Sequence, residues 1–558
     1  MGVRRAVDMV LDASNLAGVP IFTYGPLIHN PQVLEMLENK KIFRIDTIPQ
    51  KGEGIVLIRA HGVPPEDEAA LKNAGFTVVN ATCPRVVRVQ VIINRYAKKG
   101  YSTIIIGDKK HPEVVGLLGY ARGNGVTVTS MEQLEGLPVF ENAVVVAQTT
   151  QNTVFYEQIK AWCEKNAPQY KIFDTICGST EKRQSEVRQL ALKNDAVIVV
   201  GGRQSGNTRR LAQVAMETGT QAIHIEDAGQ IDYKALGSVK KLAITAGAST
   251  PNWIIKDACA RVAIQVQTQH PMLNVLGRMR DFLLKTNLLL AGGAAGLTYA
   301  CASAQGFSQI FVHSAIAMLY VLSMQILNNI FTNKSDTYNH PDRASFYKKH
   351  KIVLQMLAMG SGAVGLFLAY TTGFVSFCIL LMMSLLGLSY NFNSLPSFLG
   401  NRKIIWIKDV PGSKTILIAI AWGTVTSLLP AIVNSGHLVL VMITFLFSTG
   451  LVFARTAFFD VLAMQGDRIT GKETLPILLG AEKSLRFIQY VLGGEILMIL
   501  VASWAGLFGN NVFLLAFVPI FMLLLIRLHK KDKMLSGWQY ELLMESSFLF
   551  AGFVAALI

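Results

Sequence analysis

The sequence predicts two fold classes in one chain: an α/β half written as three repeated units, then an all-α polytopic membrane half of about nine helices. Two observations carry this. Up to residue 280 strand-like apolar runs alternate with charged helical patterns, whereas after Lys285 long apolar stretches are broken only by short polar clusters. Those stretches run to about twenty residues, the length a helix needs to cross a bilayer core. A chain of 558 residues is too long for one core. The expected division is a first domain over 1–270, a linker over 271–285 and a membrane domain over 286–558.

In the first half, strand–loop–helix units recur in a shared order. One set is "IFTYGPLIHNPQVL", "TIIIGDKKHPEVVGL" and "AVIVVGGRQSGNTRRLA", and a second is "GIVLIRAHGVPPEDEAAL", "AVVVAQTTQNTVFYEQI" and "LAITAGASTPNWIIKDA". A third has two members, "VVNATCPRVVRVQVI" and "IFDTICGSTEKRQSEV", each a short strand, a Thr, a Cys and a helix. Repetition fixes architecture before any local reading does. The interval from Gly107 to Gly201 equals that from Cys83 to Cys177, and the interval from Gly25 to Gly107 is shorter. Stepping the shorter interval back from Cys83 reaches the first residue, where "MGVRRAVDMV" aligns with the helices that follow the two Cys. No Ser, Thr, Asp or Asn caps that helix, so a third Cys is expected immediately before Met1.

Three thiolates on strand-to-helix turns directed at one axis suit an iron–sulfur cluster with one iron left open to substrate. Cys163 and Cys259 fall within helical patterns and read as packing residues. The loops of the other sets bring His29, His61, His111, Glu113, Gln148, Thr149, Ser205, Asn207 and Ser249 toward the same axis. Several sit at helix starts, where backbone N–H groups favour a phosphate or diphosphate. No G-x-x-x-x-G-K-[ST] occurs, so nucleotide hydrolysis is not indicated.

At these residues the first half resembles the 4-hydroxy-3-methylbut-2-enyl diphosphate reductase (LytB) family, on "GVRRA", "AHGV", "ATCP", "HPE", "QTT", "SGN" and "TAGAST". The resemblance implies a trefoil of three α/β units and a 4Fe-4S cluster on Cys83, Cys177 and the third Cys expected ahead of Met1. It implies that His29, His61, His111, Ser205, Asn207 and Ser249 hold the diphosphate of a small allylic substrate whose terminal hydroxyl binds the open iron. Glu113 would supply the proton and Thr149 would orient the hydroxyl, giving isopentenyl and dimethylallyl diphosphate. No flavin or nicotinamide fingerprint is present, so an electron-donor redox protein is expected as a partner.

The six Cys lack the paired spacing of secreted disulfide scaffolds, which suits a reducing compartment. The net charge of +15 could suit nucleic acid, but the basic residues of the second half lie in loops, so the lipid bilayer and not nucleic acid is the expected partner. Apolar segments fall at 286–305, 308–327, 351–370, 372–392, 415–434, 437–455, 487–508, 512–527 and 544–558. Basic residues collect in alternate loops: Lys334 to Lys349, Arg402 to Lys414, Arg455 to Arg486 and Arg527 to Lys533; the intervening turns have none. Positive charge stays on the cytoplasmic side. The expectation is a multi-pass inner (cytoplasmic) membrane protein with its N-terminal domain in the cytoplasm and its C-terminus outside. Arg4, Arg5 and Asp8 follow Met1 in place of an apolar core, so no signal peptide is expected.

Two of the basic loops, "LNNIFTNKSDTYNHPDR" and "FFDVLAMQGDRITGKETLPILLG", also carry acids at membrane level, which are costly unless they serve an ion or substrate. Carboxylates beside amides are the hard oxygen ligands of Mg²⁺–diphosphate. These segments resemble the Asp-rich motifs of UbiA-type intramembrane prenyltransferases, which move a polyprenyl group from its diphosphate to an acceptor. The resemblance implies a prenyl diphosphate and Mg²⁺ site from Asn328, Asp336, Asp342, Arg343, Asp460 and Asp467. Asn329, Thr332 and Ala463 stand where that family has acids, which implies a weakened Mg²⁺ site that Asp342, Asp409 or Asp460 would have to repair. The leading expectation is a reductase tethered to a prenyl-transfer module. A membrane scaffold or diphosphate-binding protein with both sites degraded stays open; a nine-span transporter fits the hydropathy but not "NHPDR" and "GKETLP".

Overall fold

The structure, a computed structural model, describes all residues except 1, 17, 238, 270, 308–309, 332, 390–411, 510, 531–534 and 558. Thr332, Arg402, Lys403, Lys408 and Asp409 therefore lie outside the described residues. The chain divides into two units, Met1–Val266 and Gln267–Ile558.

The first unit holds three wholly parallel sheets. Strands β1 (Ile21–Tyr24), β2 (Ile42–Ile45), β3 (Ile55–Ile58) and β4 (Thr77–Asn80) lie in the order β2-β1-β3-β4. The same order returns in β6-β5-β7-β8, from β5 (Ser102–Ile106), β6 (Gly125–Val128), β7 (Ala143–Ala147) and β8 (Lys171–Ile172). The third sheet, β10-β9-β11, is built from β9 (Ala196–Val200), β10 (Gln221–Ile225) and β11 (Leu242–Ala246). A helix precedes each sheet in the chain, at Gly2–Leu16, Pro84–Ala97 and Gly178–Lys193.

Continuous β-branched runs explain the strands. Ile104 to Ile106, Val144 to Val146 and Val197 to Val200 are fully buried, as expected where helices cover both faces of a parallel sheet. After β1, β5 and β9 the chain hands over to a helix through a capped start. Asn30 accepts from the N–H of Val33 ahead of Pro31, His111 from Glu113 ahead of Pro112, and Ser205 from Thr208. These turns all lie beyond the carboxyl ends of their strands, where open α/β sheets place their ligands.

The second unit is helical. Among the described residues, six helices are long and apolar enough to cross a membrane: Ile310–Phe331, Lys351–Thr372, Ser413–Val433, Leu438–Thr470, Ala481–Trp504 and Val512–Lys530. Leu288–Ala304 and Phe374–Ser389 are shorter apolar helices, and Gly537–Ala556 carries two acids on an otherwise apolar face. Residues 271–285 form a helix of their own, Pro271–Lys285. Within Ser413–Val433 the turn Thr424–Leu428 widens to π geometry just before Pro430, whose ring displaces the carbonyl four residues back and lacks an N–H to bond it.

Ile105 is fully buried between the helices that flank β5. Ile105→Ala is expected to cost about 2–5 kcal/mol, read as an earlier unfolding transition of the first unit in a calorimetric scan of the detergent-solubilised chain.

Candidate functional site

One cavity in the first unit collects the strand-end residues of all three sheets. Its walls include His29 after β1, His61 after β3, Cys83 after β4, His111 and Glu113 after β5, Thr149 after β7, Cys177 after β8, Ser205 and Asn207 after β9 and Ser249 after β11. All ten catalytic, substrate and cluster residues expected in this half thus face a common space.

Three histidines form one wall. Their ring centroids lie 5.1 Å (His29–His61), 5.3 Å (His61–His111) and 6.1 Å (His29–His111) apart. Burial lowers the pKa of each; neighbouring histidines add to this at His61 and His111, and Arg59 at all three, so that His61 falls well below the ordinary value and His111 drops to about 4. The three are therefore neutral near pH 7. His111 Nδ1 accepts the Glu113 N–H at 3.2 Å, which leaves the proton on Nε2. His29 Nε2, His61 Nδ1 and Asn207 Nδ2 are buried without a hydrogen-bond partner, while Ser249 Oγ donates to Ser205 Oγ at 3.4 Å.

The ligating nitrogens of the three histidines lie within 4.8 Å of one another, close enough to hold either a metal ion or the oxygens of an anion. The anion fits better. A metal would leave the Asn207 amide unanswered, whereas a diphosphate offers acceptors to it and to the serine hydroxyls. Gly206 sits so near this wall that a Cβ there would stand 3.1 Å from His111 Nε2, so a side chain at that position would crowd the donor.

Glu113, two residues after His111, is buried in the same cavity. Its two oxygens accept from Thr149, at 2.6 Å from the backbone N–H and 2.9 Å from Oγ1. Burial raises the carboxyl to about 7 even though both Thr149 bonds pull it down. A carboxyl held near neutrality can give a proton and take one back.

Cys83 and Cys177 both occupy the residue immediately before a helix, at Pro84–Ala97 and Gly178–Lys193. Burial works against ionisation of Cys177, but the Ser179 hydroxyl at 3.0 Å, the N–H groups of Ser179 and Thr180, and Arg85 outweigh it and lower the thiol pKa. The head of helix Gly2–Leu16 reaches the same place, since a Cβ on Gly2 would collide with Cys83 Sγ. Free thiols on equivalent turns, with no disulfide to either, are a donor set that fits an iron–sulfur cluster. Arg59, Arg209, Arg85 and Ser179 are site residues that the sequence patterning does not single out. Arg85 and Ser179 carry a signal, each two residues after a repeated Cys.

In the second unit, Asp336, Asp460 and Asp467 all interact electrostatically with Lys414 and Lys472, and Asp336 also with Arg343. Thr415 Oγ1 donates to Asp460 at 2.6 Å and Asn339 Nδ2 to Asp467 at 3.1 Å. Asp342 is exposed on helix Pro341–Lys349, and no described contact ties it to these acids; Asn328 is half-buried on Ile310–Phe331. Among the described residues the acids do not gather three to a point. Mg²⁺ is commonly held by one or two carboxylates plus substrate phosphates, and these oxygens fit that arrangement. Arg343 pairs with Glu541, and Arg455 with Glu545 at 2.8 Å. The two glutamates and Arg455 are not among the residues the sequence motifs single out, although acids four apart on an apolar helix are a signal of function.

Residues 1–263 match the family described as LytB protein, and residues 289–544 match the UbiA prenyltransferase family. A 4-hydroxy-3-methylbut-2-enyl diphosphate reductase of Aquifex aeolicus is 38% identical over 264 residues, 47% of this chain and 91% of that protein. The reductase of Citrifermentans bemidjiense is 39% identical over 263 residues, 47% and 93% of the respective chains. The solved E-1-hydroxy-2-methyl-but-2-enyl-4-diphosphate reductase of Plasmodium falciparum is 28% identical, covering 47% of this chain and 83% of that one with a TM-score of 0.45.

A diphosphate placed among His29, His61 and His111 reverses the field that keeps them neutral, so binding draws protons in. Calorimetry of pyrophosphate binding in buffers of different ionisation enthalpy is expected to show net proton uptake near pH 6.5 and affinity that weakens as pH rises. Without ligand the sign is the opposite one. Folded-state pKa values below 6.5 mean the unfolded chain binds more protons, so the first unit loses stability as pH falls from about 6.5 toward 4.

Proposed function

We propose, for a chain that belongs to the LytB family through residues 1–263 and carries a UbiA prenyltransferase family domain over 289–544, a membrane-tethered 4-hydroxy-3-methylbut-2-enyl diphosphate reductase. The observation that carries it is the single cavity in which three neutral histidines, a buried carboxyl and two helix-capping thiols meet. Degraded sites, the scaffold alternative, are not favoured, because every residue of that cavity keeps the chemistry its role requires. The three sheets are read as the blades of a trefoil whose axis is this cavity.

In the reaction, 4-hydroxy-3-methylbut-2-enyl diphosphate takes two electrons and two protons, loses its hydroxyl as water and leaves as isopentenyl or dimethylallyl diphosphate. A 4Fe-4S cluster, held by Cys83, Cys177 and a ligand entering at the head of Gly2–Leu16, would supply the electrons one at a time. A separate redox protein would refill it. His111 Nε2–H, His29, His61, Asn207 and the hydroxyls of Ser205 and Ser249 would grip the diphosphate and fix the C5 chain against the opposite wall. Thr149 Oγ1, which bonds Glu113, is placed to pass its hydrogen bond to the substrate hydroxyl. Glu113 then gives the proton that lets the hydroxyl leave as water. Burial keeps that proton in place near pH 7, where an exposed carboxyl would have lost it.

For the second unit we propose prenyl transfer from a prenyl diphosphate, with each Mg²⁺ on one or two of Asp336, Asp460 and Asp467 plus substrate phosphates, and with Arg343, Lys414 and Lys472 facing the phosphates. Asn328 and Asp342 remain candidates on its rim. The unit is read as nine passes through the inner membrane, with the reductase in the cytoplasm.

Glu113→Gln keeps the shape of the carboxyl and removes the transferable proton. Turnover is expected to fall by about 10²–10⁴-fold with little change in diphosphate affinity, and in the unmodified chain kcat/KM falls as pH rises through about 7. Anaerobic preparation with iron counting and electron paramagnetic resonance tests the cluster; a colourless, iron-free protein rules the reductase reading out. For the second unit, Asn339→Ala removes the amide that orients Asp467 and is expected to lower Mg²⁺-dependent prenyl transfer by about 10–100-fold.

A further inference from the structure

The helix Pro271–Lys285 has three unlike sides. Met272, Val275, Leu276, Met279 and Phe282 are 79, 60, 56, 57 and 56% exposed. At 3.6 residues per turn they fall in one stripe about 120° wide. On the adjoining side Gly277 and Leu284 are buried against protein. The remaining side is polar: Arg278 donates to Asn274 at 3.0 Å, and Asp281 pairs with Lys285 at 3.5 Å and with Arg280 at 2.6 Å.

The chain does not run straight from this helix into the next. Asn287 takes a left-handed conformation, φ 61°, and its amide is tied to the Tyr347 hydroxyl at 2.7 Å, so the axis breaks before the apolar helix Leu288–Ala304 begins. A left-handed Asn ends a helix as Gly would. Arg280 lies over the Trp538 ring, 4.1 Å from its centroid, at the first turn of Gly537–Ala556. Tryptophan and arginine together are typical of the boundary between lipid and water.

From these observations we infer that Pro271–Lys285 lies flat in the interface of an anionic bilayer leaflet, with its Met272–Phe282 stripe among the acyl chains and its basic residues at the headgroups. A stripe of this size facing water would be an aggregation liability. The occupant follows from continuity, because the helix is two residues from a segment of the membrane unit, and from charge, because Arg278, Arg280 and Lys285 outnumber Asp281. An in-plane helix of this composition binds through buried apolar area plus attraction to anionic lipid.

The test uses the full chain in nanodiscs of phosphatidylcholine and phosphatidylglycerol, with the fluorescent residue dansylalanine placed at Leu276 or at Arg278. A lipid carrying a nitroxide near its headgroup is expected to quench the Leu276 probe at least about threefold more than the Arg278 probe, with aqueous iodide giving the reverse order. Equal iodide access at the two positions overturns the inference. Protection of Leu276 from both quenchers also overturns it, since protein then covers the stripe. Removing phosphatidylglycerol is expected to weaken lipid quenching at Leu276; unchanged quenching overturns the anionic preference.

Discussion

The first unit depends on one constraint, that polar groups taken out of water must find partners. Most of its buried polar atoms do so within the fold, as Thr175 does on β7 through the Ala147 N–H and carbonyl. The cavity gathers three of the exceptions. His29 Nε2, His61 Nδ1 and Asn207 Nδ2 are left unanswered side by side, and an unpaired buried donor costs about 1–3 kcal/mol. Three sheets of tightly packed β-branched residues can carry that cost, and they hold the donors at fixed positions before any ligand arrives. An anion that accepts from all of them recovers what the fold gave up, which is why the arrangement favours a diphosphate over a neutral ligand.

The same burial sets the charge state of the cavity. It pushes the histidines and the Glu113 carboxyl toward their neutral forms, so these four groups avoid charge. Charge then enters with the ligand. In the proposed reaction a diphosphate would stabilise imidazolium among the histidines, while Glu113 would keep its proton until a leaving hydroxyl drew it through Thr149. Neither role requires a residue whose solution pKa already lies at 7.

Much of this cavity is legible in the amino-acid sequence. Cys83 and Cys177 are legible because each follows the last strand of a sheet whose order repeats, β2-β1-β3-β4 against β6-β5-β7-β8. His29, His61 and His111 are legible for the same reason. Arg59 and Arg209 are not. They act on the histidines at a distance and sit at no repeated position, so nothing in their spacing marks them. The helix at 271–285 reads as a linker in the sequence because its apolar stripe is short and mixed with charge, and hydropathy summed over a window averages the two away. In the second unit Asp336 and Asp467 stand out beside amides and basic residues. Glu541 does not, because its partner Arg343 lies 198 residues away in the chain.

That long-range pair bears on how the second unit can gather positive charge at all. Arginine and lysine gathered in a low-dielectric site repel one another, and an isolated buried charge is far costlier than a paired one. Helix Gly537–Ala556 answers with Glu541 against Arg343 and Glu545 against Arg455, one helical turn apart on a single face. Each glutamate is nearly wholly buried, so neither exists to dissolve the helix in water. They fix the two guanidinium groups in place while Arg343 keeps donors to spare, its Nε being buried without a partner. Removing a glutamate would free more positive charge and also let the guanidinium move. Losing the orientation matters more for a forked donor whose strength depends on meeting two oxygens at once.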